Sequence, residues 1–254
     1  MVSTKFHGRD FCAKFSVETL TKLIDFCIKN HNTYLPPFHF ISAHACVEGG
    51  LSEELAKIYT SGKLVCDSKP LSLYLSRVLK MQVPQVRGAD FMRTLLLTAP
   101  KGSRHYFLGG TDETLSGISN FILRNRHLDL VCEYSSPEFN RIWDEISSYE
   151  LRNIELFAAD FVWVGMGAPK QFYISQEISK KLNITSLSVG AAFDFIAETK
   201  FECPKFISNI GLEWLFRLIT EPRRLWKRYL IGNWKFVSYL LDDFRRHRRE
   251  SNQL

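Results

Sequence analysis

The sequence lacks several features that would assign it quickly to a class. No stretch approaches the ~18 uninterrupted apolar residues of a membrane-spanning helix, and the start MVSTKFHGRDF has no apolar segment typical of a signal peptide. The six cysteines among 254 residues are scattered without a C-x-x-C pair. This spacing argues against a disulfide framework or a zinc site and favours a reducing compartment. We therefore expect a cytoplasmic protein.

The common nucleotide-binding loops are missing as well. The segment VGMGAPKQ (164–171) has neither the dinucleotide spacing G-x-G-x-x-G nor the P-loop spacing G-x-x-x-x-G-K-[ST]. No G-x-G-x-x-G follows the first strand, which counts against an NAD-dependent oxidoreductase. The chain also has no internal repeat and no low-complexity linker. The fold class must therefore be inferred from hydrophobic patterning.

Short apolar runs alternate with helix-like stretches in a chain that is 45% hydrophobic and 24% charged, an ordinary globular composition. This alternation predicts an α/β fold, a mostly parallel sheet with helices on both faces. The predicted strands are 38–43, 63–67, 105–110, 128–134, 160–167 and 184–195, and the predicted helices are 16–30, 111–125 and 137–150. Thr111 or Asp112 is expected to cap the second of these helices and Ser136 the third.

The turn after the fifth predicted strand has the chemistry of a phosphate-binding turn. Gly165 and Gly167 permit close approach of a ligand to the backbone, and Pro169 suits the first turn of a helix. The N-terminus of that helix favours an anion, while Lys170 adds charge and Gln171 offers both a donor and an acceptor. A plain strand-to-helix connection explains the same residues equally well.

Other polar residues also follow predicted strands, where ligands bind in parallel sheets. Ser42 and His44 follow the first strand, Asp67 ends the second, and the turn Gly109-Gly110-Thr111 follows the third. We expect these residues to share one edge of the sheet with the turn at 164–171.

The C-terminal segment differs from the rest of the chain. Beyond about residue 204 only helical patterns occur, and the span 217–249 carries ten basic residues against three acidic ones, in a chain of net charge +6. Its apolar positions recur at helical spacing: Trp226, Leu230, Trp234, Val237, Leu241 and Phe244. Such a helix either packs on its own domain or lies in a membrane interface with its basic residues on lipid phosphates. A nucleic-acid-binding tail is a third interpretation.

Four blocks of the sequence resemble the WecG/TagA/CpsF family of bacterial glycosyltransferases, glycosyltransferase family 26. They are FLGGTDETL (107–115), ADFVWVGMGAPKQ (159–171), SVGAAFDFIAE (188–198) and GLEWLFRLITEPRRLWKRYL (211–230), in the order of the family. The resemblance implies a Rossmann-like core, here 1–204, and a helical membrane-associating appendage, here 205–254.

The resemblance also implies an activity. Members of the family transfer a sugar from a UDP-sugar to a polyprenyl-diphosphate-linked acceptor at the inner face of the cytoplasmic membrane, with inversion and without a metal or other cofactor. We expect the same of this chain, in a surface-polysaccharide or exopolysaccharide pathway, with no nucleic-acid partner and with possible homo-oligomers. The donor can be a hexose or an N-acetylhexosamine. A non-catalytic partner subunit of a polysaccharide synthase is the alternative.

Matching positions imply roles for individual residues. Asp67 corresponds to a general base, Arg87 to an arginine that offsets diphosphate charge, and Gln171 to an active-site glutamine. The donor-binding set comprises Ser42, His44, Gly109, Gly110, Thr111, Gly165, Gly167, Lys170 and Asp194. The set expected on the acceptor diphosphate comprises Arg217, Arg223, Arg224 and Arg228. Asp194, like the family acid matched by Glu213, could equally be a structural partner of an arginine.

The chain departs from the family pattern at five positions. Ser68 replaces a glycine and His44 an asparagine, while Phe172 and Glu202 stand where a glutamate and an arginine are usual; Glu198 replaces a second glycine. An acid gained near the donor pocket is consistent with a different sugar from that of the better-known members.

Overall fold

The computed structural model describes residues 2–6, 9–30, 33–125, 129–137, 145–223, 225–226, 236 and 238. Within these residues the strands are β1 Val2–Phe6, β2 Arg9–Phe15, β3 Phe38–Ile41, β4 Lys63–Cys66, β5 Arg104–Leu108, β6 Val131–Ser135, β7 Phe161–Val164 and β8 Thr185–Ser188. The helices are α1 Leu20–Lys29, α2 Ala43–Leu51, α3 Glu53–Ser61, α4 Lys69–Val78, α5 Gly88–Thr98, α6 Asp112–Arg124, α7 Ser148–Phe157, α8 Lys170–Leu182, α9 Ala192–Ile196, α10 Lys205–Asn209 and α11 Glu213–Thr220.

The strands form one sheet in the order β1-β2-β4-β3-β8-β7-β5-β6. The edge pair β1–β2 is antiparallel, and every other pairing is parallel. Parallel strands covered by helices on both faces are apolar throughout rather than alternating, which explains the continuous runs FHFI and FVWV. The predicted α/β, Rossmann-like, mostly parallel fold with helices on both faces is confirmed.

The two faces of the sheet carry separate hydrophobic clusters because successive side chains of a strand point to opposite faces. On β7, Phe161 and Trp163 pack in a cluster that also holds side chains of α1, α5, α6 and α9. Val162 and Val164 pack instead with side chains of α7 and α8. The helices therefore fix β7 from both sides, and with it the turn at its carboxyl end.

Two predicted elements differ from the observed ones by more than a few residues. The last predicted strand, 184–195, stops at Ser188, because Gly190 has a φ of +57° and α9 follows the turn. The predicted helix 137–150 is not found at 145–147; α7 begins at Ser148, where the Ser147 hydroxyl accepts from the Glu150 N–H. Residues 138–144 lie outside the described part of the chain. The cap expected from Thr111 is confirmed by its bond from the Thr114 N–H.

The C-terminal segment returns to the core. Leu225 and Phe236 are buried, and the Phe236 ring contacts the Tyr74 ring edge-on at 5.9 Å between centroids. Most of the apolar face predicted for 226–244 lies outside the described residues. The division of the chain at residue 204 stays a prediction.

Candidate active site

A cavity of about 520 Å³ opens at the carboxyl ends of the parallel strands, within the ~300–1,000 Å³ usual for a small-molecule site. Five strands contribute, because the residues that follow β3, β4, β5, β7 and β8 all reach the same edge of the sheet. Eleven of the predicted catalytic, donor-binding and acceptor-binding residues line it: Ser42, His44, Asp67, Arg87, Gly110, Thr111, Gly165, Gly167, Gln171, Asp194 and Arg217. The C-terminal segment completes the wall with Glu213, Trp214 and Phe236.

Asp67 directly follows β4 and is held by the backbone. Its Oδ1 accepts a hydrogen bond of 2.7 Å from the Gly88 N–H at the start of α5, and its own N–H donates to the Ile41 carbonyl. A side chain on Gly88 would lie 3.1 Å from the Val189 carbonyl oxygen, so the position is tight. This hydrogen bond holds Oδ1 of the carboxylate rather than Oδ2.

The environment of Asp67 favours a proton on the carboxyl group. The pKa of Asp67 is raised to about 6, first by burial and then by the nearby Glu213 carboxylate. The Gly88 hydrogen bond and the charges of Arg87 and Arg217 act in the opposite direction. A carboxylate with a pKa just below neutrality is ionised at physiological pH and still basic enough to accept a proton during a reaction.

Arg87 lies at the same wall, just before α5. Its Nη1 donates to Glu202 Oε1 at 2.9 Å, and its Nε lies 3.2 Å from Glu213 Oε2. Burial alone would lower the pKa of Arg87, but Glu213, Asp90 and Glu202 raise it, so the guanidinium stays charged. The third nitrogen, Nη2, is buried without a hydrogen-bond partner.

Gln171 is buried in the first turn of α8. Its N–H donates to the Gly167 carbonyl and its Nε2 to the Ser188 carbonyl at 3.4 Å, whereas its Oε1 is buried and unpartnered. A Cβ at Gly190 would lie 3.1 Å from that Oε1, and Gly190 has a φ of +57°. Both the space and the backbone conformation at 190 therefore require glycine, a residue that sequence reasoning did not single out although it lies within the block SVGAAFDF.

The two glycines at the end of β7 do different things. A Cβ at Gly165 would lie 2.4 Å from the Phe193 ring, so this glycine lets α9 pack directly on the turn. Gly167 has a φ of +78° and open space around it. The Ala168–Pro169 peptide bond that follows is cis.

Ser42 and His44 begin α2 at the end of β3. The Ser42 hydroxyl caps the helix by accepting from the Ala45 N–H at 3.3 Å. His44 Nε2 lies 3.2 Å from Glu48 Oε1, one helical turn further on, and its Nδ1 is buried and unpartnered. Because a carboxylate only accepts, Nε2 carries a proton, and in the neutral imidazole Nδ1 is an acceptor.

Asp194 and Arg217 line the cavity with different partners. Asp194 Oδ2 pairs with Lys200, which is also a lining residue and lies 3.7 Å from Glu221. The Arg217 guanidinium sits 5.5 Å from the centre of the Phe195 ring, and its Nε is buried and unpartnered. Asp194 thus has an ion-pair partner, but it is a lysine and not the arginine of the structural alternative.

Some of the residues expected in the site lie elsewhere. Gly109, Lys170 and Arg223 do not line the cavity. Gly109 is buried, and a Cβ there would lie 2.6 Å from the Met166 side chain, so its role is packing. Arg224 and Arg228 lie outside the described residues. Phe172 does line the cavity, but its ring is fully buried edge-on to His39 and Tyr59 and packs mainly in the core.

The unpartnered polar atoms are concentrated at this cavity. Within the described residues, five buried side-chain nitrogen or oxygen atoms lack a hydrogen-bond partner, and four of them belong to lining residues. Arg87 Nη2 and Arg217 Nε are donors, whereas Gln171 Oε1 and His44 Nδ1 can accept. Buried polar groups are almost always paired. The cavity is therefore suited to a ligand that carries both anionic oxygens and hydroxyl or N–H groups.

In the part of the chain that the structure describes, no cluster of histidine, cysteine, aspartate or glutamate side chains could hold a metal ion. Metal independence of the reaction stays a prediction.

Comparison with protein families gives a match over nearly the whole chain. The model of the glycosyl transferase WecG/TagA/CpsF family matches residues 10–250. The matched range includes every residue that lines the cavity, so the site belongs to the part of the chain that is shared with the family.

Proposed function

Because the chain belongs to the WecG/TagA/CpsF family of glycosyltransferases, which act in cell-surface polysaccharide biosynthesis, we propose that it transfers a hexose or an N-acetylhexosamine from a UDP-sugar to a polyprenyl-diphosphate-linked saccharide, with inversion and without a metal. The four unpartnered atoms of the cavity carry this proposal. A UDP-sugar offers diphosphate oxygens to Arg87 and hydroxyl or imide donors to the two acceptors, while the lipid diphosphate offers oxygens to Arg217.

In this reaction Asp67 acts as the general base. The acceptor hydroxyl loses its proton to the carboxylate while its oxygen attacks the anomeric carbon, and the bond from that carbon to the UDP oxygen breaks on the opposite face. The Gly88 N–H holds one carboxylate oxygen, which leaves the other for the proton. The raised pKa of Asp67, about 6, supports this role.

Arg87 and Arg217 supply the positive charge that departing UDP and the lipid diphosphate require. Negative charge develops on the leaving diphosphate as the glycosidic bond breaks, and donors fixed in a desolvated site stabilise that charge most effectively. We assign Arg87 and Gln171 to the donor side of the cavity. Arg217, which comes from the C-terminal segment, is assigned to the acceptor diphosphate.

An exposed apolar surface supports attachment to the membrane. Among the described residues, seven of the fifteen exposed large hydrophobic side chains fall in one segment: Phe201, Phe206, Ile210, Leu212, Leu215, Ile219 and Trp226. Helix α11 has no fully buried residue, although five of its eight positions are large and apolar. None of the described helices has the length and apolar character needed to cross a bilayer. We propose that this segment lies on the inner face of the cytoplasmic membrane, where exposed aromatic and aliphatic side chains enter the headgroup region.

Thermal unfolding with a panel of nucleotides tests the donor. A ligand at 100 times its dissociation constant stabilises the folded protein by ~2.7 kcal/mol, which is visible as a shift in the melting temperature. We expect a shift with UDP and with one UDP-sugar, and none with NAD or an oligonucleotide. A shift with an oligonucleotide alone would favour a nucleic-acid-binding function instead.

The acceptor is tested by transfer of radiolabelled sugar from that donor to a polyprenyl-diphosphate saccharide in detergent. Asp67→Asn is the matched control, because the asparagine keeps the size of the side chain and an acceptor for the Gly88 N–H. Transfer by the parent protein but not by this variant is the expected result. A variant that transfers sugar as fast as the parent would exclude Asp67 as the base.

A further inference from the structure

Glu202 forms a bridge between two arginines behind the cavity wall. Its Oε1 accepts from Arg87 Nη1 at 2.9 Å, and its Oε2 accepts from Arg93 Nη2 at 2.7 Å. Asp90 lies further from the same two guanidinium groups, at 3.6 and 3.7 Å. Glu202 is not among the residues that line the cavity, whereas Arg87 is. The acid can therefore act on the site only through its partner.

The guanidinium of Arg87 is held at two of its three nitrogens. Glu202 engages Nη1 and Glu213 engages Nε at 3.2 Å, so two carboxylates contact adjacent parts of one planar group. Because the fork is rigid, fixing these two nitrogens also fixes the third. Nη2 is the nitrogen left buried and without a partner.

We infer that Glu202 is a positioning residue, which holds Arg87 so that Nη2 is the donor presented to a bound diphosphate. The inference rests on the proposed function for the identity of the ligand. It gives Arg87 a single contact with the anion, rather than the bidentate contact that an unrestrained guanidinium makes with a phosphate.

The sign of the charge at position 202 is central to this arrangement. The resemblance described above implies an arginine at this position, and an arginine there would face Arg87 and Arg93 with like charge. The glutamate places a negative charge on the outer side of the wall, only 26% exposed. The departure noted in the sequence therefore changes how Arg87 is held rather than adding a group to the cavity.

A second ion pair of the same loop serves as the comparison. Glu198 pairs with Arg124 at 3.4 Å, but the two side chains are 68% and 59% exposed, and neither lines the cavity. Exposed ion pairs of this kind contribute little to the free energy of folding. Glu198→Gln thus makes the same chemical change as Glu202→Gln in the same loop, without access to Arg87.

Arginine side-chain NMR on ¹⁵N-arginine-labelled protein tests the positioning without any ligand. A guanidinium held by carboxylates rotates slowly and gives separate Nη signals, whereas a released one gives averaged signals. The Arg87 signals are assigned by their loss in Arg87→Lys. We expect the Arg87 Nη signals to be separate in the parent protein and in Glu198→Gln. In Glu202→Gln we expect them to be averaged. Unchanged Arg87 signals in Glu202→Gln would overturn the inference.

Calorimetric titration with UDP measures the consequence for the site. Glu202→Gln is expected to raise the dissociation constant for UDP roughly fivefold to tenfold, the usual effect of misplacing one charge-assisted hydrogen bond. Glu198→Gln is expected to leave this constant unchanged. If the parent protein itself fails to bind UDP, the donor proposal fails, while the NMR result still decides whether Glu202 positions Arg87.

A charge swap separates positioning from a purely structural role. The double variant Glu202→Arg/Arg93→Glu restores an ion pair between positions 202 and 93 but leaves Arg87 beside a like charge. We expect the melting temperature to recover relative to Glu202→Arg, and UDP affinity not to recover. Recovery of both would show that Glu202 only ties its loop to α5, and would overturn the inference.

Discussion

Buried polar side chains are fully hydrogen-bonded in the interior of the sheet but only partly hydrogen-bonded at its carboxyl edge. On β5, His105 is fully buried with both ring nitrogens paired, Nε2 with the Ser103 hydroxyl at 2.9 Å and Nδ1 with the Trp163 N–H at 3.0 Å. At the carboxyl edge, His44 has one nitrogen paired with Glu48 and the other buried and unpartnered. The ring nitrogens of His105 are both hydrogen-bonded without a ligand, whereas those of His44 are not.

The same contrast holds for the acids. Glu150 is buried with both oxygens satisfied, by the Tyr106 hydroxyl at 2.6 Å and the Ser135 hydroxyl at 2.9 Å. Asp67 has the Gly88 N–H on one oxygen and, close by, the like charge of Glu213. Interior polar groups of this protein are structural, and those at the edge are available for chemistry. His39 is the exception, because its Nε2 is unpartnered inside the core.

The largest effect is expected at Asp67. Asp67→Asn should lower kcat/KM by roughly 10³-fold, since it removes the proton acceptor, and it should not destabilise the protein. The folded pKa of about 6 is raised above 3.8, so protonated Asp67 favours the folded state and stability falls as pH rises between these values. Near neutral pH the asparagine should therefore raise the free energy of unfolding, by on the order of 2 kcal/mol. Transfer kinetics measure the loss of kcat/KM, and denaturant titration measures the free energy of unfolding. If Asp67→Asn is less stable than the parent protein, Asp67 is a structural group like Glu150.

His105→Leu should do the reverse. It leaves the Ser103 hydroxyl and the Trp163 N–H buried without partners, at a cost of about 2–4 kcal/mol in the free energy of unfolding. The kcat/KM of the folded fraction should stay at the parent value, because His105 lies outside the cavity. Urea unfolding beside steady-state kinetics measures both, and a loss of activity larger than the loss of folded protein would contradict the distinction.

A smaller effect is expected at Arg217, whose unpartnered Nε belongs to the C-terminal segment. Arg217→Ala should raise the KM for the lipid-linked acceptor about tenfold by removing one charged donor, and should leave the dissociation constant for UDP unchanged. Kinetics at varied acceptor and calorimetry with UDP separate the two. Equal losses on both ligands would place Arg217 on the donor instead.

The smallest effect is a displacement of the pH profile. The acid limb of kcat/KM should report the pKa of Asp67 in the free enzyme, near 6. Glu213→Gln removes a negative charge that raises this pKa, so the limb should move to lower pH, by less than roughly one unit. A limb that moves upward would mean that the altered contact of Glu213 with Arg87 outweighs the lost repulsion.

Hydrophobic patterning was enough to predict the sheet and its carboxyl edge. The runs that became β3, β4, β5 and β7 end within a few residues of the observed strand ends, and this alone brings Ser42, Asp67 and Gly165 together. The resemblance to the family added Arg87 and Arg217, and gave Gln171 its expected active-site role. Patterning failed at 184–195, where a left-handed glycine ends an apolar run that continues into a helix.

Partners distant in sequence could not be predicted. The contacts of Arg87 with Glu202 and Glu213 join α5 to segments more than a hundred residues away, and no local pattern encodes such a pairing. Phe172 illustrates the same limit. It was noted as a departure beside an active-site glutamine, yet it packs mainly in the core, because consecutive residues of a helix point in different directions.

The closure of the cavity by Glu213, Trp214 and Phe236 has a thermodynamic consequence. A ligand that contacts both the sheet edge and these side chains binds the docked arrangement of the C-terminal segment better than an undocked one, and so increases the docked population. Reciprocity then requires that anything which favours docking from outside, at the exposed apolar side chains of the same segment, tightens ligand binding by the same factor. Binding in the cavity and binding at the exposed apolar side chains are therefore thermodynamically coupled through the C-terminal segment, with no conformational change needed in the sheet.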